Sequence, residues 1–193
     1  MNFLGHLYLS DDDHELMIHN LFGDFVRGKD LSRFPIAVQQ GIRLHREIDD
    51  FMDRHKRVVE TVHVLQPELP KIAGIAMDLY FDHILSKRWA EYHKKDYMEY
   101  LSDFYSKADT SESYFGLSFQ LFIKKLVRYN WMSYYPSLDG LDKACKGVSA
   151  RISFPNALVN GKDVFLKHQT EIERTFTIYM EDAKEKFNIV NSK

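Results

Sequence analysis

Apolar residues recur along this chain at spacings of three and four, the signature of helices that turn one face toward a core. Ile36, Val38, Ile42, Ile48 and Met52 form one such stripe, and Ile72, Ile75, Ala76, Leu79 and Leu85 form another. The pattern predicts a short extended start, then a helix opened by the acids Asp11, Asp12 and Asp13, reaching about Val26 and stopped by Gly28. Pro35 suits the first turn of the next helix, where its missing N–H costs nothing. A long helix is predicted from near Pro70, with further helices over 96–107, 113–129, 138–150 and 163–187. Turn signals separate them: Tyr135-Pro136, Asp139-Gly140, Phe154-Pro155-Asn156 and Asn160-Gly161. With no repeat, low-complexity stretch or linker, the expectation is one all-α domain, a single helical bundle over 1–193.

Composition supports a folded globular chain. Hydrophobic residues make up 45% and charged residues 28%, and only 9 Gly and 5 Pro argue against a sandwich of many short strands. The net charge of −2 argues against a general nucleic-acid binder. The charge is unevenly placed, however. All charged residues up to position 24 are acidic (Asp11, Asp12, Asp13, Glu15, Asp24), whereas bases outnumber acids from Arg27 to Arg57. The lone Cys145 excludes an intramolecular disulfide and a cysteine-rich zinc site, and suits a reducing cytoplasm. The start has no basic n-region, so no signal peptide is expected, and no run is long and uncharged enough to predict a membrane span.

Polar residues set among apolar ones carry the candidate chemistry. In Gly41-Ile-Arg-Leu-His45-Arg46-Glu-Ile-Asp49-Asp50-Phe-Met-Asp53, His45, Asp49 and Asp53 are spaced by four and share a helix face. Met77-Asp78-Leu-Tyr-Phe-Asp82-His83 repeats the arrangement, and Asn20 and Asp24 share a face of the second helix. His6 stands alone among Phe3, Leu4, Leu7 and Leu9. Any one of these reads as a surface contact, a structural hydrogen bond or a satisfied core histidine. Their accumulation on apolar helices points to a shared cation, because buried carboxylates must be paired, hydrogen-bonded or metal-bound. His14, His19, His55, His63, His93 and His168 lack such a setting. A His/carboxylate set without thiolate suits Mn, Fe, Mg or Zn in an open site, and such a centre suits phosphate-ester hydrolysis. Arg27, Arg43 and Arg46 are candidate phosphate forks; each alone also reads as a solvated charge.

The same segments carry a resemblance. Met1-Asn-Phe-Leu-Gly-His6-Leu, Asn20-Leu-Phe-Gly-Asp24-Phe-Val-Arg-Gly28, Gly41-Ile-Arg-Leu-His45-Arg46-Glu-Ile-Asp49 and Asp78-Leu-Tyr-Phe-Asp82-His83-Ile-Leu-Ser86, then Trp89, resemble the bacterial acyl carrier protein phosphodiesterases. The match runs through about the first ninety residues and is diffuse beyond Trp89. His19 stands where the family commonly has Gly, and Gly23 where it commonly has Ala.

The resemblance implies hydrolytic removal of 4′-phosphopantetheine from the serine of holo-acyl carrier protein, a fold similar to the HD superfamily of helical phosphohydrolases, and manganese as activator, with Mg²⁺ or Fe²⁺ as alternatives. His6, Asp24, His45, Asp49, Asp78, Asp82 and His83 stand at the family's motif positions. Residue chemistry assigns them expected roles. His6, His45, Asp49, Asp82 and His83 are expected metal ligands, Asp24 a base or water-positioning group, Asp78 an orienting group, and Arg46 a phosphate contact. Because carrier proteins are acidic, docking is expected on the bases between Arg27 and Arg57, with Lys124, Lys125 and Arg128. Two alternatives stand: a phosphohydrolase of the same fold acting on a nucleotide or other small phosphoester, and a non-catalytic helical binding protein.

Overall fold

The computed structural model describes residues 1–190, and every regular element among them is helical. In chain order they are α1 (Phe3–Tyr8), α2 (His14–Phe22), α3 (Ile36–Arg54), α4 (Lys56–Leu65), α5 (Ala73–Lys87), α6 (Trp89–Tyr92), α7 (Tyr97–Lys107), α8 (Leu117–Tyr129), α9 (Leu138–Ser149) and α10 (Gly161–Lys186). The all-α expectation is met. No helix among the described residues is long and apolar enough to cross a membrane.

Helix α5 is the axis of the core. Met77, Tyr80, Phe81, Ile84 and Leu85 are buried along it, so it is apolar nearly all round, as a central helix must be. It packs against α1, α4, α9 and α10, and the Tyr80 hydroxyl donates to the Gly161 carbonyl (2.7 Å) at the start of α10. A second layer is made by α2 and α3, which lie along one another. Their closest approach is at Gly41, where a Cβ would overlap the side chain and backbone of His19 and the amide of Asn20. A glycine inside α3 costs helix propensity, and here it lets the two backbones meet.

Several predicted boundaries move for local reasons. The start is helical because the buried Asp82 carboxylate accepts from the Leu4 and Gly5 amides (2.8 and 3.0 Å), satisfying the first turn of α1. The second helix stops at Phe22 and passes through a 3₁₀ turn over Gly23–Phe25, and its cap is Asp13, which accepts from the Leu16 amide. Asp11 and Asp12 stand outside it at positive φ. The helix predicted from Pro70 begins at Ala73 because Lys71 adopts a left-handed conformation (φ +67°). Gly116, not residue 113, caps α8. Helix α10 bends at His168 (φ −110°, ψ 16°), whose Nε2 lies 2.7 Å from Glu68.

Gly41→Ala should therefore lower stability despite alanine's better helix propensity. Overpacking of about 1–3 kcal/mol corresponds to a fall in melting temperature of roughly 3–10 °C for a chain of this size. An unchanged or higher melting temperature would show that α2 and α3 do not approach so closely.

Candidate metal centre

Three donor groups meet where α1, α2 and α3 converge. His6 Nε2 lies 3.2 Å from Asp49 Oδ1, and His45 Nε2 lies 3.2 Å from Asp49 Oδ2. The two imidazoles stack at 4.2 Å between centroids and 18° between planes. His6, His45 and Asp49 each offer a donor atom, all within 4.8 Å of one another. Asp24 Oδ1 flanks this group at 3.3 Å from His45 Nε2.

Each histidine is placed by its neighbours. His6 is buried, and its Nδ1 lies 2.9 Å from Asn20 Oδ1. Asn20 uses its NH₂ on the His6 carbonyl (3.1 Å) and on Ser10 Oγ (3.0 Å), so its oxygen must accept and the His6 ring proton sits on Nδ1. That leaves the Nε2 lone pair aimed at the cluster. His45 packs where Gly23 has no side chain: a Cβ there would overlap the imidazole. Spacing of four on α3 then sets Asp49 beneath it.

The two rings carry different charge. Burial lowers the pKa of His6 and keeps it neutral, against the attraction of Asp49. Burial also opposes charge on His45, but Asp24 and Asp49 together outweigh it and raise the pKa to about 9. Burial works against the Asp49 anion, yet the hydrogen bond from the protonated His45 holds its pKa well below the usual carboxylate range. Without a cation, one proton on His45 thus occupies the centre of the cluster.

These groups face an open cleft of about 510 Å³, which Asp24, Asp53 and Asp78 also line, with Lys71 at its margin. Asp78 Oδ1 lies 2.9 Å from the Met1 amine. Asp53 has a raised pKa, first through burial and then through the charges of Asp78 and Asp49. Neither Asp53 nor Lys71 was assigned a role from sequence. Asp53 shared a face with Asp49, but Lys71 enters the cleft only through its left-handed backbone before α5.

Three of the expected site residues have other partners in the structure. Asp82 is buried with one oxygen on each of the Leu4 and Gly5 amides, away from the His6 cluster, and burial raises its pKa to about 7. His83 donates from Nδ1 to the Tyr135 carbonyl (2.7 Å) and stands edge-on to Phe165, so it ties α5 to the segment before α9. Arg46 donates through Nη2 to the carbonyls of Val26 (3.0 Å) and Gly28 (2.8 Å), which ties it to the loop before α3. Arg43 donates to Gln39 Oε1 (2.9 Å). His93, read as having no special setting, lies 3.2 Å from both Asp12 oxygens.

The fold and cleft define an all-α protein with a mixed imidazole–carboxylate centre. Residues 1–183 match the family described as acyl carrier protein phosphodiesterase, and the chain belongs to that family. A relative of that name from Photorhabdus laumondii is 28% identical over 180 residues, covering 91% of this chain and 89% of its own. One from Shigella boydii serotype 18 is 28% identical over 188 residues, covering 91% and 92%. One from Escherichia coli O139:H28 is 38% identical over 91 residues, 47% of each chain. No solved structure matches the chain.

Two outcomes follow from the charges. In metal-free protein, His45 should titrate near pH 9 by NMR, and Asp24→Asn should lower that value. Because the folded pKa lies above the unfolded one, the stabilisation is complete below about pH 6.5 and is lost as pH rises through about 9. A His45 titration near 6.5 would refute the arrangement. Asp82→Ala should cost about 2–4 kcal/mol by leaving two buried amides without an acceptor, measured by denaturant unfolding. A loss below about 0.5 kcal/mol would show that Asp82 does not anchor α1.

Proposed function

We propose that this chain hydrolyses the phosphodiester joining 4′-phosphopantetheine to the serine of holo-acyl carrier protein, using a divalent cation held by His6, His45 and Asp49. The observation that carries the reading is the meeting of these three donors in an acid-lined cleft, in a chain whose match to the family runs from residue 1 to 183.

The donor set suits a cation. Ligand atoms around one first-row ion at about 2.0–2.2 Å lie roughly 3.0–3.4 Å apart, and the His6–Asp49 and His45–Asp49 separations are 3.2 Å. Two imidazoles and a carboxylate are compatible with a first-row ion such as Mn²⁺ or Fe²⁺, with Mg²⁺ as an alternative, and it is the family resemblance that puts Mn²⁺ first. When bound, such an ion lowers the pKa of water and neutralises phosphoryl charge. The proton on His45 must leave for its Nε2 to serve as a ligand, so acid competes with the ion.

The protein's own groups supply the rest. Asp24, exposed at the edge of the cluster, orients the attacking water and accepts its proton. Asp53, with its raised pKa, is the cleft group best suited to return a proton to the serine oxygen as it leaves. Lys71 brings positive charge to the phosphoryl oxygens. Arg46 is committed to backbone carbonyls, and Arg54 and Arg57 pair with Asp50 and Glu60 (2.9 and 3.0 Å). Docking of an acidic carrier therefore falls to the exposed Arg27, Lys29 and Arg33, with Lys124, Lys125 and Arg128 on α8. A cytoplasmic location fits the lone reduced cysteine and the intracellular nature of such a substrate.

The test is mass spectrometry of holo-acyl carrier protein incubated with chelator-treated protein, with and without manganese. The expected result is conversion to the apo form only with the ion, and a loss of more than about 100-fold in Asp49→Asn with the fold retained. Full turnover without the ion, or in Asp49→Asn, would remove the proposed centre; no release under any condition would remove the proposed activity.

A further inference from the structure

A second cavity, of about 600 Å³, adjoins the cleft. Asn2 and Phe3 line both. Its far walls come from the C-terminal half: Tyr129, Trp131, Tyr134 and Tyr135 before α9, and Ala144 and Gly147 on α9. Lys143 and Arg151 stand at its rim. Ring contacts run from Phe3 through Phe122 (5.0 Å) to Trp131 (6.2 Å), which stacks on Tyr129 at 6.3 Å and 5°. Tyr129 and Tyr134 are half exposed, at 52% and 54%. Large aromatic surface left open around a cavity of this size marks a site for a small ligand.

The glycines of α9 carry a second, independent observation. Gly140 and Gly147 both line the cavity, but only Gly140 has a packing reason, since a Cβ there would overlap the Tyr134 carbonyl. At Gly147 a Cβ would meet nothing within 4 Å. Inside a helix such a glycine is costly relative to alanine, and no packing contact here requires it. Its effect is to keep the cavity floor open.

We infer that this cavity receives the pantetheine arm of the substrate while the phosphodiester lies in the cleft. The inference rests on the phosphodiesterase reading above. A phosphodiester has two arms: the serine arm leads to a protein too large to enter, whereas the pantetheine arm is a narrow chain. That chain alternates methyl and methylene groups with two amides, which suits aromatic walls with polar tips. The shared residues Asn2 and Phe3 give it a path from the cleft.

The test combines binding and turnover in the presence of Mn²⁺. Titration with 4′-phosphopantetheine should change the Trp131 fluorescence, and Trp131→Phe should abolish the change. Gly147→Leu should fill the floor without lowering the melting temperature, weaken 4′-phosphopantetheine binding at least tenfold and reduce kcat/KM on holo-carrier at least tenfold. Apo-carrier, which lacks the arm, should leave Trp131 unchanged. If holo-carrier is cleaved but Gly147→Leu binds and turns over normally, the cavity inference falls and the phosphodiesterase reading stands. A Trp131 response to apo-carrier equal to that of holo-carrier would place the carrier's surface there instead, and would also overturn it. If holo-carrier is not cleaved at all, the phosphodiesterase reading falls, and the 4′-phosphopantetheine titration still decides the cavity: a Trp131 response sustains the arm site, and none overturns it.

Discussion

A carboxylate buried in the core, that of Asp82, governs where the chemistry can stand. It accepts from the amides of Leu4 and Gly5 and so fastens the six-residue α1 to the central helix α5. A helix this short has no stability of its own. Capped by Asp82 and packed through Leu4 and Leu7, it becomes a rigid platform that carries His6 to the convergence of α2 and α3. The apparent duplication of Asp/His spacing on α3 and α5 therefore hides a division of labour. One helix presents donors to the cleft, and the other spends Asp82 on holding the platform and His83 on the segment before α9.

Backbone proximity completes what Asp82 begins. Gly41 lets α2 touch α3, which brings Asn20 under His6, and Gly23 vacates the space that His45 fills. Asn20 then sets the tautomer of His6 through a closed set of bonds with Ser10 and the His6 carbonyl. The two stacked imidazoles differ as a result. His6 is neutral and presents a lone pair, while His45 holds a proton between Asp24 and Asp49 until something more positive displaces it. Such asymmetry suits a site in which ion and proton compete for one place.

Among the described residues the C-terminal half supplies no donor to this cluster, yet it is not a passive scaffold. The turn before α9 anchors His83 through the Tyr135 carbonyl, and the same turn builds the aromatic wall of the second cavity. One segment thus braces the core and shapes what lies beside the cleft. This arrangement lets the reactive centre and the adjoining surface vary separately along the chain.

Local physics made the helices legible, since apolar spacing on α3, α5 and α10 demands burial whatever the topology. It also made the His45–Asp49 pair legible, because four residues along a helix is a fixed distance. Asp24 and His6 were legible as polar residues set among apolar ones, and the family resemblance placed them at motif positions. What the chain alone could not decide was direction: whether Asp82 and Arg46 would face a ligand or the backbone. A carboxylate or guanidinium satisfied by main-chain groups has the same local sequence as one aimed at a cleft, and only packing of distant segments separates them. The helical start was illegible for that reason, its cap lying 78 residues away. Lys71 entered the cleft through a backbone angle that no periodicity encodes, and the second cavity arose from four segments that meet only once the core has closed.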